Sequence, residues 1–111
     1  MKGTYLGEFE ELVLLTIASL AHDAYSVAIC DELEDNTSRR PKLGVVHSVL
    51  NRLENKGFVK SELGEATKIR GGKRKRYFWI TSAGKASLIK SKEWRDQLWN
   101  KIPAFVLESV K

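Results

Sequence analysis

Apolar residues recur along the first twenty positions at the spacing of a buried helix. Leu6, Phe9, Val13, Ile17 and Leu20 fall on one stripe, and Leu12, Leu14 and Leu15 widen it. A helix over about Leu6–Leu20 with so broad a stripe has two neighbours to cover it. His22-Asp23 breaks the pattern, and Asp23 is placed to cap a second helix that carries Val27, Ile29 and Leu33 and stops near Asn36. The polar connection Thr37 to Pro41 follows, with Pro41 fixing the backbone ahead of a third helix. There the apolar face is Val46, Val49, Leu50 and Leu53, an i, i+3, i+4, i+7 set. Lys56 puts a favourable charge in its last turn, and Gly57 supplies the left-handed stop.

Two β-rich runs come next, Phe58 to Leu63 and Arg76 to Ile80. Tyr77, Phe78, Trp79 and Ile80 favour an antiparallel hairpin over a helix, with a long glycine-containing connection. Thr81 is a good N-cap, after which Ala83 to about Ile102 reads as helical and Pro103 ends it. Trp94, Leu98 and Ile102 form an i, i+4, i+8 row flanked by Trp99. The tail from Ala104 to Lys111 is open between a continued helix, a wrap around a partner and a mobile end. The pattern is therefore mostly α with a small β-hairpin, in the order of a winged helix-turn-helix module followed by one long helix.

At 111 residues the chain has room for one globular domain, and 42% hydrophobic with 30% charged residues is the composition of a folded protein. The longest apolar stretch, Leu12 to Ala21, is half of what crosses a bilayer, so no transmembrane helix is expected. Glu8, Glu10 and Glu11 stand where a secretory signal carries positive charge. One cysteine, Cys30, forms no internal disulfide and fits a core-filling role. A cytoplasmic location is the expectation. No metal or other cofactor is called for.

The net charge of +5 is unevenly placed. Six basic residues (Lys68, Arg70, Lys73, Arg74, Lys75 and Arg76) lie within nine positions that contain no acid. The rest of the chain holds 13 basic and 14 acidic residues. So local an excess is the footprint of a polyanion contact, and nucleic acid is the leading partner, with an anionic membrane surface behind it. The polar face of the third helix supports it. Gly44 leaves room for a close approach, and His47, Ser48, Asn51 and Arg52 can bond to base edges and phosphates, with no carboxylate at the centre of that face. At the hairpin, Gly71 and Gly72 permit a tight tip around which the lysines and arginines straddle phosphates or enter a minor groove.

Four segments, taken in order, resemble the PadR family of bacterial transcriptional regulators. They are Leu6 to Leu15 (LGEFEELVLL), Asp23 to Ile29 (DAYSVAI), Leu43 to Gly57 (LGVVHSVLNRLENKG) and Arg70 to Thr81 (RGGKRKRYFWIT). Each is weak singly, and the four at natural spacing are specific, covering about Leu6 to Leu88. The resemblance implies a homodimeric, mostly repressing regulator of double-stranded DNA operators that are pseudo-palindromic. Its DNA-binding region would be residues 1–81, and residues 82–111 would be a dimerisation helix and tail. The interface would use that helix (Trp94, Leu98, Trp99, Ile102) helped by the first (Phe9, Val13). Some small relatives in the family bind flat aromatic molecules between tryptophan-bearing helices, so a hydrophobic or aromatic effector between the protomers is one expectation. Ordinary interface packing of Trp94 and Trp99 is the other. Tyr25 matches a tyrosine placed to touch the DNA backbone, or else packs on its own helix. His47 replaces the family's usual tyrosine, and Lys42 replaces a small capping residue, exchanging a cap for a phosphate contact.

An enzyme is not expected. The two histidines, His22 and His47, lie on different elements, and no nucleophile elbow, phosphate-binding glycine loop or ligand-spaced cluster occurs. The rival class is a winged-helix interaction module for a protein or RNA, with no specific DNA operator. A basic wing beside an acid-free helix face favours the DNA reading, since protein binding needs no such pairing.

Overall fold

The computed structural model describes residues 6–64 and 74–108. Helix α1 spans Glu8–Leu20, α2 Ser26–Thr37 and α3 Leu43–Asn55. Strands β1 (Val59–Leu63) and β2 (Arg76–Ile80) follow, then α4 (Ser82–Asn100) and a short α5 (Ala104–Glu108). This is the winged helix-turn-helix arrangement with an added C-terminal helix that the hydrophobic pattern predicts.

Helix α1 starts with three carboxylates, Glu8, Glu10 and Glu11, against the positive end of its dipole, and Glu10 accepts the N–H of Gly7 at 2.9 Å. Its core side is Val13, Leu14 and Ile17, all with no exposed surface. Val13 is thus sealed inside its own protomer and offers nothing to a partner chain. The stripe is wide, but Val13 sits at its middle, and the residues left at the surface are Leu12 and Leu15 on its flanks.

Asp23 does not cap α2. It lies in a single 3-10 turn, Ala21–Asp23, and α2 begins three residues later behind an extended Tyr25 that makes no side-chain cap. The reason is tertiary: the Ala24 carbonyl accepts the N–H of Phe78 at 2.8 Å, so the hairpin holds this stretch extended and delays the helix. Ile29, Cys30 and Leu33 are buried as expected, whereas Val27 is exposed. Burial pushes the Cys30 thiol upward in pKa, which keeps it protonated and inert.

Helix α3 buries Val46, Val49, Leu50 and Leu53 almost completely. It ends as the lysine-glycine pair predicts. Gly57 takes φ +80°, its N–H bonds to the Glu54 carbonyl at 3.0 Å, and the Phe58 N–H bonds to the Leu53 carbonyl at 2.9 Å. That pair of reversed bonds satisfies the helix's last carbonyls, and buried Phe58 packs beside buried Leu53. The chain leaves directly into β1, which pairs antiparallel with β2 from Val59↔Ile80 to Leu63↔Arg76.

Thr81 caps α4 by accepting the Gly84 N–H at 3.1 Å, and its hydroxyl donates to the Gly57 carbonyl at 2.7 Å. Gly84 is required by closeness: a Cβ there would lie 2.3 Å from the Phe58 carbonyl oxygen, so any side chain would force α4 off the hairpin. Beyond this contact α4 runs outward. Its buried positions are Gly84 and Ser87, and every residue from Lys92 to Asn100 is exposed. The helix ends at Asn100 with Lys101 as its C-cap, slightly before the expected Ile102, and after Pro103 the tail resumes as α5.

Candidate nucleic-acid interface

Because Val46, Val49, Leu50 and Leu53 turn one side of α3 into the core, the opposite side is fixed toward solvent. Gly44, His47, Ser48, Asn51 and Arg52 are all exposed on it, and an added Cβ at Gly44 would meet nothing within 4 Å. The hairpin folds back beside this face. Between them and the start of α2 lies a cleft of about 700 Å³ whose lining includes Tyr25, His47, Asn51, Arg74, Lys75 and Arg76. Six residues singled out from the sequence, spread over fifty positions, thus share one concavity. Ser48, Arg52 and Lys42 stand outside its lining, on exposed parts of α3 and its N-terminus. Lys42 occupies the N-cap position of α3 without making a side-chain cap. Lys68, Arg70, Gly71, Gly72 and Lys73 lie outside the described residues.

The side chains of the cleft are tied to one another. Tyr25 reaches the hairpin: its ring meets Tyr77 of β2 edge-on at 5.6 Å, and the Lys75 ammonium sits 4.2 Å above its centre. That contact holds a cation over an aromatic face in the lining of the cleft. Arg76 donates to the Ser61 hydroxyl at 3.0 Å, and Ser61 donates to the Glu54 carboxylate at 3.0 Å. The relay fastens β2, β1 and α3 together and keeps the marginal carboxylate of α3 occupied. Arg74 is anchored by Nε to the Gly64 carbonyl at 2.8 Å.

Arg52 also has a partner. Its Nε donates to Glu10 of α1 at 3.1 Å while Lys56 donates to the same carboxylate at 2.9 Å. Burial alone would raise the Glu10 pKa, but the Gly7 N–H, Lys56 and Arg52 outweigh it and hold the carboxyl below its ordinary value. The Arg52 side chain remains 55% exposed, so its guanidinium edge faces solvent while its Nε is held. Ser61, Glu10, Lys56 and Tyr77 escape sequence reasoning, because nothing in local periodicity links a residue at position 10 to residues at 52 and 56.

Of the residues expected at an interface between protomers, Trp94, Leu98 and Trp99 are exposed, at 48%, 69% and 60%, and Ile102 is half-buried. Phe9 is half-buried against the core, and Val13 belongs to the core itself. Among the described residues no group of three or more histidine, cysteine or carboxylate side chains could hold a metal, and no helix is long and apolar enough to cross a membrane.

The sequence model of the transcriptional regulator PadR-like family matches residues 13–90. The chain belongs to that family. Among solved structures, a PadR family transcription regulator from Clostridium difficile R20291 is 28% identical, with a TM-score of 0.64 over 86% of this chain and 97% of that one. A transcriptional regulator from Clostridium thermocellum is also 28% identical, at TM-score 0.63, covering 92% of both chains. A PadR family transcriptional regulator from Eggerthella lenta DSM 2243, 24% identical, shares the fold at TM-score 0.68 over 93% of this chain and 88% of that one. No curated protein matches the chain. Members of the PadR-like family are transcription regulators rather than enzymes. The match takes in α3, the hairpin and the start of α4, so the cleft lies wholly within the PadR-like part of the chain.

Proposed function

We propose that this PadR-like protein is a dimeric, site-specific regulator of transcription that represses by occupying a pseudo-palindromic operator. The observation that carries the reading is the single cleft in which the polar face of α3 meets the basic residues of the hairpin. Helix α3 is thin enough at Gly44 to enter a major groove, where Asn51 reads adenine and Arg52 reaches guanine or a phosphate. Tyr25, Lys42, His47 and Ser48 line the approach. Arg74, Lys75 and Arg76, continued by Lys68, Arg70 and Lys73 around Gly71 and Gly72, hold flanking phosphates and supply salt-dependent affinity.

Two copies fit this reading because, among the described residues, nothing covers Trp94, Leu98 and Trp99. A second α4 laid on this row buries it and places the two recognition helices in successive major grooves, roughly 34 Å apart. The same seam, with its tryptophans, suits a flat hydrophobic effector that releases the operator. A cytoplasmic site of action goes with this role.

Selection of bound duplexes from a random library, followed by titration against salt, tests the reading. The expected result is a pseudo-palindrome bound at least ~10³-fold more tightly than its scramble, the low end for specific binders. Uniform, strongly salt-dependent binding with no recovered motif would replace it with a winged-helix module directed at a protein or RNA.

A further inference from the structure

Two adjacent carboxylates on α1 grip different helices. Glu10 holds Arg52 at 3.1 Å and Lys56 at 2.9 Å, both at the C-terminal end of α3. Glu11 holds Arg95 of α4 through Nε at 3.1 Å and Nη2 at 2.7 Å. Each glutamate side chain is only 11% exposed, whereas Arg52 and Arg95 are 55% and 53% exposed, so the carboxylates are sheltered and the guanidinium groups reach in from the surface. Consecutive helical residues project about 100° apart, which lets one turn of α1 reach two neighbours at once. Both bonds from Arg95 to Glu11 end on Oε1, and Nε also reaches Oε2 at 3.3 Å, so two nitrogens of the planar guanidinium fork engage the one carboxylate and constrain direction as well as distance.

Helix α4 is seated near its start, where Gly84 meets the hairpin and Leu88 packs against the core, and the Arg95 contact ties its outer part to α1. Its buried residues are Gly84 and Ser87, near its start, and Arg95 lies within the exposed stretch that follows. A helix of this length extends about 28 Å, and tilting it by about 10° moves its far end by about 5 Å. That exceeds the rise of one base pair, about 3.4 Å. Any assembly built through the outer part of α4 therefore inherits its spacing from the angle at which α4 leaves the winged module.

We infer that Glu10 and Glu11 are positioning residues that lock α3 and α4 to one turn of α1, and that the Glu11–Arg95 fork thereby sets the half-site spacing the protein accepts. The inference rests on the dimeric operator reading above. A rigid bivalent binder discriminates sharply between spacings, whereas a loosened one tolerates several. Glu11 itself lies off the exposed face of α3, so its loss leaves each recognition helix able to bind.

The test titrates the selected operator, a single half-site, and operators carrying one or five extra central base pairs. Wild type is expected to lose about tenfold for one added base pair and about a hundredfold for five. Glu11→Gln keeps half-site affinity and the sedimentation of a dimer, while the one-base-pair penalty falls below about threefold. Arg95→Lys keeps the charge and loses the fork, so it follows Glu11→Gln and carries the test should that variant fail to fold. Variants that retain the wild-type penalty, or that weaken every duplex by one common factor, overturn the inference and leave the operator reading standing. A wild type indifferent to spacing overturns the operator reading and this inference with it.

Discussion

The winged half of the molecule and its C-terminal arm use apolar side chains in opposite ways. In the first, Val13, Leu14, Ile17, Ile29, Val46 and Leu53 have no exposed surface at all. In the second, Leu98, Trp99 and Phe105 are 69%, 60% and 72% exposed. One region closes its core within the protomer, and the other sets large side chains on a surface that water covers in a single chain. Exposed apolar surface of this kind is what the dimer proposed above would bury. The arm is therefore not a frayed end of the core but a second, external use of hydrophobic residues.

The largest effects should fall on opposite sides of that division. Leu50→Ala removes a side chain that is 1% exposed and should cost about 2 to 5 kcal/mol of stability, read from denaturant unfolding. Leu98→Asp, on the arm, should leave the unfolding of the winged module within about 0.5 kcal/mol of wild type at concentrations where both are monomeric. It should nevertheless shift the protein from dimer to monomer in sedimentation. An undiminished dimer, or a loss of stability like that of Leu50→Ala, would erase the distinction between the two regions.

The sequence makes this division legible because each half has its own periodicity. The α3 stripe and the Trp94, Leu98, Ile102 row both follow helical spacing, and Gly57 and Thr81 punctuate them in the expected manner. What it hides is whatever depends on contacts across the chain. Asp23 is a good cap in isolation, yet the bond from Phe78 to Ala24 keeps this segment extended. Leu12, Leu14 and Leu15 all widen the stripe of α1 in a pattern of apolar letters, and only packing decides that Leu14 is core while Leu12 and Leu15 are surface. The cleft was readable as residue types, whereas the Arg76–Ser61–Glu54 relay and the hold of Glu10 on Arg52 were not.

Within the winged half, the hairpin and α3 make a second comparison. Replacing Arg74 and Arg76 together with alanine should weaken binding to every DNA sequence and reduce the magnitude of the salt slope by about 2, one for each phosphate no longer neutralised. Asn51→Ala should instead cost about 1 to 3 kcal/mol against one preferred base and little against the others. Identical losses for both variants on all sequences would show that positioning and reading are not divided between these elements.

Acid should weaken the hold of α1 on α3. The Glu10 pKa is lowered in the folded protein, so the unfolded chain binds its proton more readily, and the stability this group adds is fully present above its ordinary value of 4.5. That contribution is lost as pH falls from there through the lower, folded pKa. Glu10→Gln cannot lose what it never has, and its stability curve should be flatter than wild type across that acidic range. Parallel curves for the two proteins, measured by denaturant unfolding from about pH 6 downward, would contradict the assignment.

The smallest effect is the most diagnostic for the exposed face of α3, because stability and binding should move in opposite directions. Gly44 lies in the first turn of the helix, and a Cβ built there meets nothing within 4 Å. Alanine is a better helix former than glycine by up to about 1 kcal/mol, so Gly44→Ala should raise the unfolding midpoint. The same methyl group stands on the face that would enter a major groove, where it pushes the helix away from the base edges read by Asn51. Operator affinity should therefore fall several-fold while the salt slope, set by the hairpin, stays close to wild type. A variant that is more stable and binds the operator as well as wild type would mean that α3 approaches DNA along a different edge, with Gly44 kept clear of the groove.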